Sequence, residues 1–405
     1  MLKDIIFVND YATINGGLAK LAIDGAIGLG AIGAKVTFIA ASGPVADRLA
    51  ASGVDVRCMN QPDIWDEPNR ALAMARGIWN GSAMEYIRTQ LKDFDPATSI
   101  IHCQGFSRAL SPAIGKLMID GGFRHVYSMH DNMLACPNGT FFHHREQAIC
   151  KRPALGLACL TTNCDARAPY HKLWRVTRQV VAKAVAGIPQ GFKDLIYTSE
   201  LHRGVIEPYL NPASRLHYVA NPISVDKGPR VKAEDNDIFL FVSRLVPEKG
   251  AVLFAEAAKR AGVKAVFVGD GPEREKVEAI YPQAHVTGWV SPAEVEMWLS
   301  RARCLVFPSI WYDASPLTVR ESLAKGVPVI CGGWNAGSEA ISDGRTGYVA
   351  DNSDPATWQA LMARLDGNVA ELSAHAYDDY WANPVGLTEH ARRLLEVYEI
   401  AMSNQ

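Results

Sequence analysis

Short apolar runs alternate along the chain with longer stretches in which apolar residues recur at helical spacing. The first two runs, Ile5–Val8 and Lys35–Ala40, flank a polar turn through Asn15-Gly16-Gly17 and a helical pattern from Leu18 to Leu29. Runs of four to six apolar residues without alternation read as strands buried on both faces, and the β-loop-α-β order places them in a parallel sheet covered by helices. Further strands are expected at Val54–Cys58, Ser99–Cys103, Arg124–Met129, Leu195–Thr198 and Leu216–Ala220, with helical patterns over Asn69–Leu91 and Tyr170–Ala186.

Asn221-Pro222 closes this series, and the polar stretch Asp226–Asp237, with Gly228-Pro229, marks a boundary. A second β-α-β series follows: strands at Ile238–Val242, Ala265–Val268, Ala284–Thr287, Cys304–Pro308 and Val327–Cys331, helices at Gly250–Ala261, Pro292–Ser300 and Ser315–Lys325. Thr388–Ala401 is a last amphipathic helix beyond the Trp381–Pro384 break. The expected partition is an N-terminal Rossmann-like domain over 1–221 and a C-terminal one over 222–385, with a helix at about 386–405 returning to the first.

Composition narrows the function classes. Forty-one basic against 43 acidic residues give a formal charge of −2, so no global field attracts nucleic acid, and none is expected as a partner. The opening apolar run is too short for a secretory signal core, and no stretch reaches the roughly 18 apolar residues of a membrane span. A cytoplasmic location is expected, with peripheral contact at the inner face of a membrane open to an amphipathic or basic surface.

The polar loops that leave strand ends carry the chemistry. Ser243–Gly250 brings Arg244 and Lys249 beyond one strand, Gly269-Asp270-Gly271-Pro272 follows the next, and Ser309–Leu317 follows a third. Open α/β sheets bind ligands at the carboxyl ends of their strands, so two cations and a helix start near Ser315 converge where an anion such as a phosphate is expected. A solvated loop is the alternative. Asp313 and Glu321 add carboxylates suited to hydroxyl pairs, or else a helix cap and a surface acid. In the first domain, Gly16-Gly17 allows close backbone approach to a phosphate, or simply a tight turn. His102 and His130 end apolar strands, and of the two His130 is the better cleft candidate.

Together these pieces resemble the retaining nucleotide-sugar glycosyltransferases of glycosyltransferase family 4, with the GT-B fold. The resemblance is most specific from Phe307-Pro308-Ser309 through Leu323–Ile330, then Gly332-Gly333 and Glu339. It implies an α/β architecture of two Rossmann-like domains facing each other across a nucleotide-sugar cleft. It also implies that Arg244 and Lys249 neutralise a donor diphosphate with backbone at Ser315, Pro316, Leu317 and Thr318. Glu321 would bind ribose, Asp313 and His130 the transferred sugar, Gly16, Gly17 and Gly269 the phosphate surroundings, and Gly288, Trp289 and Val290 the base. The family places a glutamate where Asp313 stands, so its carboxylate falls short by about 1.5 Å, one carbon–carbon bond.

The implied reaction moves a sugar from a nucleoside-diphosphate-sugar to an acceptor hydroxyl with retention, without a catalytic metal or other cofactor, in cell-surface polysaccharide or glycolipid synthesis. The acceptor would be a saccharide or a lipid-linked saccharide. A sugar-nucleotide epimerase, a phosphorylase or a non-catalytic nucleotide-sugar binding protein are the alternatives. Cys136, Cys150, Cys159 and Cys164 cluster in a long loop-like insertion, as buried thiols, disulfides or a structural zinc site. Arg167, His171, Lys172, Arg175 and Arg178 follow on a helix, where they suit an anionic acceptor or a solvated face.

Overall fold

The computed structural model describes residues 2–403. Met1, Asn404 and Gln405, at the ends of the expected first domain and closing helix, lie outside the described residues. The chain divides into two compact units, one of Met1–Thr140, Arg152–Pro222 and Val385–Gln405, the other of Phe141–Lys151 and Ile223–Pro384.

In the first unit, β1 (Asp4–Tyr11), β2 (Lys35–Ser42), β3 (Asp55–Cys58), β4 (Ser99–Cys103) and β5 (Arg124–Ser128) belong to the main sheet. A small antiparallel hairpin of β6 (Phe142–His143) and β7 (Ala148–Ile149) falls in the second unit. β8 (Asp194–Tyr197) and β9 (Arg215–Tyr218) complete a seven-stranded sheet in the order β3-β2-β1-β4-β5-β8-β9. The second unit carries β10 (Ile238–Val242), β11 (Lys264–Val268), β12 (His285–Gly288), β13 (Ala302–Phe307), β14 (Val329–Gly332) and β15 (Gly347–Ala350), ordered β12-β11-β10-β13-β14-β15. The strand pairings within both large sheets are parallel.

The unbroken apolar runs follow from burial on both sheet faces. Along β10, Phe239 and Phe241 join one core with Phe254, Phe267 and Trp358, while Ile238 and Leu240 join a second with Val266, Leu305 and Leu323. A single polar substitution in such a run would face apolar neighbours, whichever way it pointed. In the first unit, Ile5 and Phe7 pack with Phe38, Ile23 and Leu29.

The helical pattern Asn69–Leu91 resolves into two helices, Arg70–Ile78 and Gly81–Leu91. Trp79 is extended, and the Asn80 side chain accepts from Ala83 N, starting the second helix. The helix expected from Ser315 begins at Leu317, because Pro316 is extended at ψ 110°. The closing helix, Leu387–Ser403, packs on the Gly17–Ala31 helix within the first unit. Small residues permit this approach: a Cβ at Gly28 would lie 3.2 Å from Leu387 O and 3.6 Å from Ala391 Cβ.

Candidate functional site

The order β12-β11-β10-β13-β14-β15 reverses direction between β10 and β13, and ligands of such sheets bind outside the carboxyl ends of the strands flanking that reversal. The loops at that point are stitched together by backbone. Leu245 N donates to Asp270 O at 2.9 Å, and Ile310 N donates to Glu248 O at 2.9 Å. Glycine is required at two of the seams. A Cβ at Gly250 (φ 73°) would sit 2.2 Å from Pro308 O, and one at Gly269 (φ 143°) 2.0 Å from Ser243 O.

Arg244, just beyond β10, is exposed, and its guanidinium makes no hydrogen bond or ion pair among the described residues. Lys249, on the turn before Gly250, donates to Asp313 and lies 5.2 Å from the centre of the Trp311 ring. The structure thus brings two of the expected site residues into direct contact. The Leu317–Lys325 helix follows the same loop, and among the described residues it has no side-chain N-cap hydrogen bond. Its amides at Leu317 and Thr318 and the positive end of its dipole face outward from the start of the helix. Ser315, Pro316 and the mid-helix Glu321 are partly buried. Gly288 bridges to Gly269, so the expected base-side residues adjoin the phosphate-side loop, while Trp289 is 70% exposed.

The remaining expected residues belong to the first unit. At both Gly16 and Gly17 an added Cβ would meet nothing within 4 Å, and Gly16 is extended backbone, so the fold itself does not demand glycine there. His130 follows β5, and its Nε2 lies 2.6 Å from Gln104 Oε1. Burial, reinforced by His202 and His390, brings the His130 pKa down to about 3, so the ring is neutral. Its Nδ1 is buried and makes no hydrogen bond among the described residues. His102 is fully buried, with Nδ1 2.6 Å from Tyr398 Oη and Nε2 2.8 Å from Ser128 Oγ, which makes it a structural histidine.

Other polar groups here escaped the sequence reading. Asp10, at the end of β1, accepts from the amides of Arg108, Ala109 and Leu110 at 2.8–3.0 Å and so ties down the loop after β4; burial raises its pKa. Burial also raises Asp131, next to His130, to about 6. The polar pair Asn9-Asp10 directly after the apolar run Ile5–Val8 is the signal that could have marked Asp10.

Of the readings left open for the cysteine-bearing insertion and the basic segment after it, two are not met. Among the described residues no three histidine, cysteine, aspartate or glutamate side chains are placed to hold a metal ion, so the tetrahedral zinc set is not formed. Lys172 Nζ instead lies 3.3 Å from Cys164 Sγ and 3.5 Å from Cys159 Sγ, and a cation at that point opposes a second one. Nor do the basic residues form one solvated face. Lys172 and Arg178 are buried, Arg178 donates to the carbonyls of Ser107 and Pro137, and Arg175 pairs with Asp165 at 2.7 Å. A recess of about 370 Å³ bounded by Gly30, Lys35, Asp55 and Asp93 lies at the amino ends of β2 and β3, the wrong end of the sheet for ligands of this topology.

Comparison with known proteins agrees with this topology. Residues 236–368 match the family model described as Glycosyl transferases group 1. A GDP-mannose-dependent alpha-mannosyltransferase of Mycolicibacterium smegmatis is 31% identical over 149 residues, 37% of this chain and 37% of that protein. The putative teichuronic acid biosynthesis glycosyltransferase TuaC of Bacillus subtilis is 40% identical over 100 residues, 24% of this chain and 25% of that protein. The chain thus spans well under half the length of these two curated relatives. Sucrose-phosphate synthase from Thermosynechococcus elongatus superposes with a TM-score of 0.70 at 14% identity, covering 99% of both chains. The chain has the two-Rossmann-unit GT-B fold, and its residues 236–368 are similar to the group 1 glycosyltransferases.

Proposed function

We propose that this protein is a retaining glycosyltransferase that moves a sugar from a nucleoside-diphosphate-sugar to an acceptor hydroxyl. The observation that carries the reading is that Arg244 and Lys249 follow β10 and the Leu317 helix start follows β13, the two strands that flank the reversal point of the second sheet. Charge grows on the diphosphate as its bond to the anomeric carbon breaks, and prearranged cations and amides stabilise that charge without a metal ion. In this account Glu321 accepts hydrogen bonds from the ribose, and Asp313 and His130 meet the transferred sugar. Gly16, Gly17 and Gly269 line the phosphates, and Gly288, Trp289 and Val290 border the base. Residues 222–385 then act as the donor domain and 1–221, with the closing helix, as the acceptor domain.

The acceptor is proposed to be a saccharide or lipid-linked saccharide of a cell-surface polymer. The teichuronic acid biosynthesis relative supports that class. Among the described residues no helix is long and apolar enough to cross a membrane. Peripheral contact at the cytoplasmic face is supported by Tyr170, Leu173 and Val180, exposed along the Pro169–Ala184 helix, with Leu157 and Leu160 exposed on the short helix before it. Co-sedimentation with lipid vesicles checks that contact.

A donor panel assayed for nucleoside diphosphate release, with and without candidate saccharide acceptors, tests the transferase reading. Release with at least one donor-acceptor pair, falling by roughly a hundredfold or more in Lys249→Ala and clearly in Glu321→Ala, is expected from the loss of transition-state charge contacts. Release untouched by both substitutions would remove the proposed site.

A further inference from the structure

Of the two histidines at strand ends, only His130 leaves a ring nitrogen unused. Its Nε2 lies 2.6 Å from Gln104 Oε1, and an amide oxygen can only accept, so the hydrogen of that bond sits on Nε2. A neutral imidazole then has a bare lone pair on Nδ1. That atom is buried and makes no hydrogen bond among the described residues, a condition that costs a buried acceptor about 1–3 kcal/mol. The other end of the amide faces His102. Gln104 Nε2 lies 3.0 Å from His102 Nε2 and 3.3 Å from its Nδ1, and His102 is held by Tyr398 on the closing helix and Ser128 on β5.

We infer that Gln104 is a positioning residue that locks His130 in its Nε2–H tautomer, so that Nδ1 accepts a hydrogen bond from a hydroxyl of the transferred sugar. The sugar contact rests on the proposed function; the tautomer lock is a property of the first unit alone. The consequence is a selective one. A site that can only accept rewards a sugar hydroxyl and rejects a replacement that cannot donate, because the buried lone pair is left unpaired.

Two measurements on the full-length protein separate these parts. Two-bond proton–nitrogen correlation spectra of uniformly labelled protein, with His130→Gln to assign the signals, report the ring tautomer. The wild type is expected to show Nε2–H. The near-isosteric Gln104→Met and the apolar Gln104→Leu are both expected to shift the population toward Nδ1–H, while Gln104→Asn with its shorter reach restores the bias only in part. A wild-type ring protonated on Nδ1, or an unchanged tautomer in both apolar variants, overturns the inference. In the second measurement, sugar hydroxyls of the donor are replaced singly by fluorine, which accepts but does not donate, or by hydrogen. At one position both replacements should lower kcat/KM by roughly tenfold or more, with that penalty shrinking in His130→Ala. If no position behaves so while the spectra show the lock, the sugar contact of His130 is overturned; transfer itself is judged separately, from wild-type nucleoside diphosphate release.

Discussion

At the scale of single residues, the contact between Lys249 and Asp313 links the two halves of the donor question. Asp313 pairs with Lys249 and, under the proposed function, would compete with a donor diphosphate for that cation. Both side chains are largely buried, yet part of the pair faces solvent, so a contribution of about 1 kcal/mol is the right scale. Asp313→Asn is therefore expected to tighten binding of a free nucleoside diphosphate by roughly fivefold while lowering sugar transfer. Calorimetric titration beside a transfer assay checks this. Weaker diphosphate binding in Asp313→Asn would mean that the carboxylate orders Lys249 rather than competing for its charge. Lys249 and Asp313 stood out in the sequence because each lies in a polar loop after a strand end. The Gln104 network did not, because His102 and Tyr398 are 296 positions apart and meet only once the closing helix has docked.

Elements were legible to the extent that burial imposed a pattern. The strands of the second sheet pack apolar residues on both faces, and unbroken runs such as Ile238–Val242 have no other good home in a soluble domain. β15 and the Pro355–Asp366 and Val369–Ala382 helices went unread, although Asp354 accepts from Ala356 N and Pro355 opens the first of the two helices. In the Pro169–Ala184 helix, sequence showed the basic residues but not their destinations: Arg178 reaches carbonyls in distant segments, and Lys172 folds back on Cys159 and Cys164 of the insertion just before the helix. What that helix exposes instead is apolar: Tyr170 at 62% and Leu173 at 67%. If it rests on a bilayer, Tyr170→Asp/Leu173→Asp should lower the fraction co-sedimenting with vesicles severalfold, through lost apolar burial and added repulsion from anionic lipid. Equal sedimentation of variant and wild type would assign this face to solvent or to another protein.

The whole molecule combines two sheets of like design with unequal chemical equipment. The second unit carries the exposed Arg244, Lys249 and the Leu317 helix start at the reversal of its sheet. The first carries a network of neutral and carboxylate groups around His130, Gln104 and Asp131. That division fits recognition of an anion by one and of hydroxyl groups by the other. The central claim is that the second unit grips a diphosphate. Its most direct test is calorimetric titration of a nucleoside, its monophosphate and its diphosphate, using the base for which donor release is found. Against the wild type, affinity should rise at each added phosphate, and Arg244→Ala/Lys249→Ala should erase most of the gain, roughly 2–3 kcal/mol for two charge-assisted contacts. Equal affinity for monophosphate and diphosphate in the wild type, or a gain that survives the double substitution, would contradict it.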